Sequence, residues 1–321
     1  MGLKNILIKI GVLYFVLRFI YMNQKISKKH HYLPIHYLEG FTDSNNSFFV
    51  YDKKADKIFS TSPNGAFFEN NLNTVSLPDG VESDFLEDLY TEFENTSWGT
   101  LNKIRKSTYK STIELMDKMH LFSFLLFLYW RLPCNIEFVE KLSEKAFVEN
   151  NEFDYLKLKS KNGEMVPKEI ADTIKNSTAF KKSFKQIIPF VPFYKDKDWA
   201  KRVEQWRFLY TGDNKSWYIV GDNPFIIKEG NEQDFVHCLN EFVCPISGNI
   251  LLISSIEPTK SVLPPGFAID YNTAIIERAQ RFIACQDKGF LETLLNYYKF
   301  HVQHGKTDII IPEMFKTINQ V

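Results

Sequence analysis

The hydrophobic pattern predicts strands near both ends of the chain and helices between them. Ser47–Asp52 and Ile58–Ser60 are short β-forming segments joined by a polar turn, a pattern typical of a hairpin. From residue 206 onwards, aromatic and β-branched segments are separated by Gly, Asn, Asp and Pro, which predicts an antiparallel sheet. These later segments are Trp206–Tyr210, Trp217–Val220, Phe225–Lys228, Glu241–Cys244 and Asn249–Ser254.

Helical spacing of apolar residues fills the middle of the chain. One helix is expected to begin near Ser83, a candidate N-cap, and to run towards Ile104. A second is expected over Ser111–Trp130, where Leu121–Trp130 is apolar nearly all round and therefore typical of a central core helix that ends before Pro133. Further helices are predicted at Ile136–Phe147, Pro167–Asn176, Ser183–Ile188, Asp196–Gln205, Asn272–Ile283 and Phe290–His301.

These elements predict an α+β fold, with a mainly helical middle and a mixed or antiparallel sheet built from N-terminal and C-terminal strands. Residues 22–321 are expected to form a single domain. Residues 1–21 are expected to be an upstream extension before a start at Met22, or an amphipathic helix on a membrane surface. Because a spanning helix needs about 20 apolar residues, and Lys9 and Arg18 interrupt this segment, no integral membrane span is expected.

Composition narrows the classes of protein that this chain could represent. Lys plus Arg and Asp plus Glu number 39 each, so no overall field favours nucleic acid. Local basic segments at Lys103–Lys110 and Lys181–Lys185 could still hold a phosphate backbone, although such runs are more often solvated faces. The four cysteines form no CxxC pair, which favours reduced thiols and a cytoplasmic location.

Two short segments carry an unusual density of polar residues, prolines and apolar anchors. The first is Lys29–Phe41, with the order basic-His-Tyr-x-Pro-x-x-Tyr-Leu-x-x-Phe, and the second is Asp222-Asn223-Pro224. Further characteristic positions along the chain are Tyr51 with Asp52, Glu87 with Glu94, Arg131 with Pro133, Pro245 with Ser247, and Asn272, Ala279, Arg281 and Phe282. In this order and spacing, the chain resembles the bacterial family called domain of unknown function 4238.

The resemblance covers residues from about Lys28 to Ile283 and implies a family without an established activity. Some positions depart from the family pattern, since Leu132, Gly221 and Gly248 stand where the family has Thr, Ser and Pro. The family opening normally lies close to the initiator Met, which favours Met22 as the start. Function has to be argued from residues, because a fold does not define an activity.

The candidate catalytic residues are an imidazole, two carboxylates and an amide. His31 could act as a general base or metal ligand, or could fix a loop beside Pro34. Asp222 could bind a metal or orient a histidine, with Asn223 donating to a substrate, or both could simply stabilise a turn. Glu94 is the fourth candidate, as a ligand or an orienting group.

Asp52 and Glu87 are candidate metal ligands, because His31, Asp52, Glu94 and Asp222 supply the ligand types of a carboxylate-rich divalent-metal site. Glu87 and Glu94 are seven residues apart on one predicted helix, which places them about 10.5 Å apart along its axis. There are two alternatives to a metal-binding role. The glutamates could form a solvated charged stripe, or one of them could form an ion pair with Arg131.

Structural roles are favoured for a second set of residues. Arg131 ends the apolar helix, where a cation stabilises the carbonyl terminus and needs a partner if it is buried. Pro34 and Pro224 restrict their turns, and Tyr37 is expected to anchor the opening segment.

Two function hypotheses remain open at this point. The first is metal-assisted hydrolysis of phosphodiesters, as in a nuclease, with a divalent metal as cofactor and nucleic acid as partner. The second is a non-enzymatic interaction or ligand-sensing module in which the polar motifs are structural. The first requires His31 and at least two carboxylates around one cavity, and the second does not.

Overall fold

The computed structural model describes residues 27–76, 82–146, 165–212, 215–228, 234, 236–256, 263–264 and 266–319, except for the side chain of Phe85. The predicted extension at residues 1–21 and the start at Met22 lie outside these ranges. The prediction of one domain over 22–321 stays a prediction.

Helices occupy the middle and the C-terminal part of the described chain. They are α1 (Ile35–Leu38), α2 (Phe85–Arg105), α3 (Leu115–Arg131), α4 (Ile136–Ser143), α5 (Lys168–Asn176), α6 (Thr178–Ser183), α7 (Val191–Lys195), α8 (Trp199–Glu204), α9 (Phe267–Arg278), α10 (Lys288–Gln303) and α11 (Ile310–Asn319). The two long predicted helices are confirmed as α2 and α3. The N-cap of α2 is Asp84 rather than Ser83, which lies in a short strand.

The strands are β1 (Lys29–His31), β2 (Phe48–Asp52), β3 (Lys57–Thr61), β4 (Phe68–Asn70), β5 (Val75–Ser76), β6 (Glu82–Ser83), β7 (Arg207–Tyr210), β8 (Val220–Gly221), β9 (Ile226–Ile227), β10 (Phe242–Ser247), β11 (Ile250–Ser254) and β12 (Phe282–Cys285). Two four-stranded sheets have the orders β3-β2-β12-β8 and β7-β11-β10-β9, and β1-β4 and β5-β6 form two-stranded sheets. Every pairing between these strands is antiparallel. The predicted α+β class is therefore confirmed.

The first four-stranded sheet joins the two ends of the chain, as predicted. The hairpin β2–β3 is confirmed, with Tyr51 opposite Ile58, and Ile283 of β12 lies opposite Tyr51 on the other side. The prediction that a helix extends to Ile283 is wrong, because α9 ends at Arg278 and the following residues enter this sheet. Phe282 is aromatic and Ile283 is β-branched, which suits a central strand, where side chains pack on both faces.

The second four-stranded sheet contains the predicted late strands, with one exception. Residues of β7, β9, β10 and β11 pair in a single antiparallel arrangement. Val220, from the predicted strand Trp217–Val220, instead pairs with Ala284 of β12 in the other sheet. Asp222 and Asn223 therefore follow directly on a strand of the sheet that also contains Asp52.

Two large apolar clusters hold these elements together. The first surrounds α3 and includes Leu125, Trp130 and Tyr37, all fully buried. The second lies between α9, α10 and α11 and strand residues such as Leu251 and Ile283. Each large apolar side chain that is buried contributes about 1.5–3 kcal/mol to the free energy of folding. Because most of its side chains are buried, α3 is the central core helix that its sequence predicts.

Within the described ranges, no helix combines the length and the hydrophobicity that crossing a bilayer requires.

Candidate functional site

Arg131, at the end of α3, is the centre of a buried network behind the opening motif. Its guanidinium donates from Nε to the carbonyl of Tyr32 at 2.8 Å and from Nη2 to the carbonyl of His31 at 3.0 Å. Nη1 bonds Glu94 Oε1 at 2.6 Å, so the ion pair expected with one of the glutamates is present. Arg131 is only 3% exposed, and it fixes the opening segment against α2 and α3.

The two glutamates of α2 have different partners, as their separation along the helix requires. Glu94 also lies 3.7 Å from His36 Nε2. Glu87 Oε2 accepts from Asn73 Nδ2 at 2.6 Å, and burial raises the pKa of Glu87. These carboxylates do not share one ligand position.

His31 is held as a neutral imidazole against an aromatic ring. Burial, followed by the charge of Arg131, lowers the pKa of His31, and a backbone hydrogen bond to Asn64 acts in the opposite direction. The imidazole lies 5.5 Å from the ring centre of Phe68. This environment suits a packed histidine at neutral pH.

Asp222 clamps the connection between α9 and β12. Its carboxylate accepts from the backbone N–H groups of Gln280 at 2.8 Å, Arg281 at 2.6 Å and Phe282 at 3.0 Å. Its own N–H donates to the carbonyl of Phe282 at 2.9 Å. Burial raises the pKa of Asp222 in spite of these donors. The aspartate thus ties β8 to residues some sixty positions later.

Asn223 and Pro224 form the turn that follows. Asn223 Oδ1 accepts from the N–H of Phe225 at 3.2 Å, which is the local bond expected of an Asx turn. Both Asn223 and Pro224 are buried.

Asp52 makes a similar structural contribution at the end of β2. Its Oδ1 accepts from the N–H groups of Lys54 and Ala55, and its Oδ2 accepts from Arg281 Nη2 at 3.0 Å. Burial opposes ionisation, but the bonds from Arg281 and the turn outweigh it and lower the pKa of Asp52. Asp52 is therefore an ionised, fully engaged carboxylate.

No arrangement of the described residues matches the metal site that the sequence predicts. Within those ranges, no group of three or more His, Cys, Asp or Glu side chains is placed to hold a metal ion. His31 and Glu94 belong to the Arg131 network, whereas Asp52 and Asp222 hold separate turns around Arg281.

Tyr37, Pro34 and Arg105 hold the opening segment on the second sheet. The buried hydroxyl of Tyr37 donates to the carbonyl of Pro245 at 2.6 Å. Pro34 precedes α1, and its carbonyl accepts from the N–H of Tyr37 at 3.0 Å. Arg105, which sequence analysis does not single out, donates to the carbonyls of His36 and Tyr37 at 2.7 and 2.8 Å.

The opening segment and the Asp-Asn-Pro turn meet at an open hollow of about 490 Å³, including the part open to solvent. We call it the motif hollow. Its lining residues are Tyr32, Lys54, Phe68, Glu69, Pro133, Cys134, Asp222, Asn223, Gln280, Arg281 and Phe282. Six of these residues belong to the segments on which the family resemblance rests: Tyr32, Pro133, Asp222, Asn223, Arg281 and Phe282. His31 and Glu94 do not line it.

Two nearly buried residues of the motif hollow carry a hydrogen-bond donor that has no protein partner among the described residues. Tyr32 is 4% exposed and Asn223 is 9% exposed. Within the described residues, neither the hydroxyl of Tyr32 nor Nδ2 of Asn223 makes a hydrogen bond to another group. Asp222 is close enough to raise the pKa of Tyr32, after burial, so the hydroxyl stays protonated and can donate.

The remaining groups of the motif hollow balance one another in charge. Lys54 and Arg281 are cationic, and Glu69 and Asp222 are the carboxylates that line the same hollow. The guanidinium of Arg281 lies 4.4 Å from the ring centre of Phe282. Burial raises the pKa of the Cys134 thiol to about 11, so it remains neutral. The hollow thus offers aromatic walls and donors with little net charge.

Tyr32 is the residue of this hollow that sequence analysis misses. The available signal is its position beside His31, within the same motif.

Comparison with known proteins gives a family and no activity. A protein-family model described as "Protein of unknown function (DUF4238)" matches residues 29–289. Neither a curated protein nor a solved structure matches the chain. Because the family match covers most of the sequence, the chain belongs to the DUF4238 family.

Proposed function

We propose that this protein is a ligand-binding module and that the motif hollow is its binding site. The observation that carries the proposal is the pair of donors, Tyr32 O–H and Asn223 Nδ2–H, without a partner among the described residues. Both residues line the open hollow, where a ligand with acceptor oxygens would take the hydrogen bonds that water otherwise accepts.

The ligand class follows from the walls and the charge of the hollow. Phe68 and Phe282 offer aromatic surfaces, on which a planar ring can stack. The balanced charges favour a neutral molecule over a strong anion or cation. We therefore propose a small planar ligand with carbonyl acceptors, and uridine is the simplest probe derived from nucleic acid.

Metal-assisted hydrolysis of phosphodiesters stays a prediction that the described geometry does not favour. Glu94 is paired with Arg131, and both oxygens of Asp222 accept backbone bonds. His31 packs on Phe68, a lining residue, but does not itself line the hollow. A nucleic-acid partner at the basic segments is likewise a prediction.

Isothermal titration calorimetry with uridine tests the binding proposal. Saturable binding is expected, and Tyr32→Phe should weaken it about 2–10-fold, the equivalent of one hydrogen bond. Asn223→Asp should weaken it similarly, because it keeps the acceptor for Phe225 N–H but removes the Nδ2 donor.

The matched control is Tyr297→Phe, which removes a hydroxyl from α10 outside the hollow and should leave the affinity unchanged. Adenosine, whose base carries an amino donor and no carbonyl, should bind more weakly than uridine. Absence of saturable uridine binding, or equal affinities for wild type, Tyr32→Phe and Asn223→Asp, would contradict the proposal.

A nuclease assay separates the two function hypotheses. With magnesium or manganese, on DNA and RNA, we expect no hydrolysis that depends on His31, because this imidazole packs on Phe68 and belongs to no metal-binding group of side chains within the described ranges. The comparison is wild type against His31→Ala at equal folded concentration. Metal-dependent cleavage that disappears in His31→Ala would support the hydrolase and remove the basis for a purely binding role.

A further inference from the structure

A second cavity, separate from the motif hollow, carries three lysines. Its volume is about 540 Å³, including the part open to solvent. It is lined by Asn71, Leu72, Ile136, Val139, Glu140, Lys181, Lys182 and Lys185. We call it the lysine cavity. The walls come from the segment after β4, from α4, and from α6 with the turn that follows.

Lys185 is a buried cation in the wall of this cavity. It is 4% exposed, and its Nζ donates to Asn73 Oδ1 at 2.5 Å. Asn73 in turn donates from Nδ2 to Glu87, so this carboxylate reaches the lysine only through the amide. Lys185 therefore has a neutral hydrogen-bond partner and no direct ion pair among the described residues.

The other two lysines crowd positive charge at the same place. Lys182 Nζ donates to the carbonyl of Thr74 at 3.0 Å, which again is a neutral partner. Lys181 lies 3.3 Å from Glu144, a mostly exposed carboxylate. Ammonium groups gathered in a partly enclosed cavity, with neutral partners for two of them, form the electrostatic arrangement that an anion relieves.

The protonation of Lys185 reflects this crowding. Burial, followed by the charges of Lys182 and Arg131, lowers the pKa of Lys185 to about 7. The carboxylates of Glu87 and Glu140 act in the opposite direction. An anion bound beside Lys185 would raise this pKa, so binding near neutral pH should take up protons.

We propose that the lysine cavity binds the phosphate group of a small phosphomonoester. Phosphoryl oxygens would accept from Lys181 and Lys182, and Lys185 would add a buried positive charge. Leu72, Ile136 and Val139 give the cavity an apolar wall for the organic part of the ligand. This site goes beyond the proposed function, because it shares no lining residue with the motif hollow.

Isothermal titration calorimetry with glycerol 3-phosphate tests the site without a ring that could occupy the motif hollow. Saturable binding is expected, and Lys182→Met and Lys185→Met should each weaken it by about tenfold or more, as loss of a charge-assisted bond predicts. Glu140→Gln should strengthen binding, because it removes the carboxylate that lines the cavity. Lys110→Met, which changes an exposed lysine over Tyr109, is the matched control and should leave binding unchanged.

Proton uptake provides a second readout. At pH about 7.5 the phosphomonoester is already mostly a dianion, since its second pKa is about 6. Titrations in buffers of different ionisation enthalpy should then show net uptake by wild type and none by Lys185→Met. If Lys185→Met is not folded, Lys182→Met carries the test, because Lys182 is less buried.

Lack of saturable glycerol 3-phosphate binding, or unchanged affinity in Lys182→Met, would overturn the proposal. Binding of a single-stranded oligonucleotide without binding of glycerol 3-phosphate would also overturn it and would favour a nucleic-acid surface instead.

Discussion

Replacing Asp222 with alanine is expected to lower the free energy of unfolding by about 3 kcal/mol or more, because three backbone donors lose a charged acceptor. Gln280, Arg281 and Phe282 donate these bonds, and they form the entry into the central strand β12. Water in the motif hollow can replace part of the lost bonding, which limits the loss. Chemical denaturation measured by circular dichroism gives the value.

The control for this prediction is Asp308→Ala, which removes an exposed carboxylate and should change stability by about 0.5 kcal/mol or less. Asp222→Asn keeps the size of the side chain but turns an N–H group towards backbone donors, so it should also destabilise. An Asp222→Ala protein as stable as the wild type would show that the clamp does not hold β12.

Replacing Arg131 with methionine is expected to cost about 3–5 kcal/mol, since removal of one partner leaves a partly buried carboxylate without its cation. Met fills a similar space, so the loss would come from Glu94 and from the carbonyls of His31 and Tyr32. Arg131→Lys should also destabilise, because one ammonium cannot reproduce the planar fork that serves three acceptors. Denaturant unfolding of both variants checks the magnitude for Arg131→Met and the direction for Arg131→Lys.

A double-mutant cycle isolates the ion pair within that prediction. Glu94→Gln in the Arg131→Met background should cost less than Glu94→Gln in the wild type, because the carboxylate has already lost its partner. Additive effects would mean that the pair contributes nothing beyond its separate members. Equal stability of Arg131→Lys and wild type would contradict the role assigned to the fork geometry.

The parts of the fold that follow from local pattern could be predicted from the sequence. The hairpin β2–β3 has polar turn residues between β-forming segments, and α3 is apolar nearly all round, so each segment contains its own signal. The ion pair of Arg131 could also be predicted, since a buried cation at a helix end requires a carboxylate nearby.

The errors lie where distant segments decide the local structure. The segment that begins at Phe282 continues the helical pattern of the residues before it. It is nevertheless a strand, because it pairs with the strand of Tyr51 on one side and that of Val220 on the other, and because Asp222 clamps its start. The sequence around Phe282 does not show which strands it will pair with. The helical spacing of apolar residues is thus overridden by tertiary pairing.

The catalytic and metal-binding roles expected of His31, Asp222, Asn223 and Glu94 stay predictions, and the structure shows only which of these residues line the motif hollow. The opening motif and the Asp-Asn-Pro turn do meet, but Tyr32 rather than His31 lines the hollow beside Asp222. Linear spacing cannot say which of two neighbouring side chains faces a distant turn. Lys185 is a similar case, because a basic run usually indicates a solvated face and here one member is buried.

A crystal structure of the protein grown with uridine would show whether the motif hollow binds a ligand through Tyr32 and Asn223. We expect a uracil ring against Phe68 or Phe282, with carbonyl oxygens within hydrogen-bond distance of the Tyr32 hydroxyl and Asn223 Nδ2. Uridine bound elsewhere on the protein, with only water against these two donors, would contradict it.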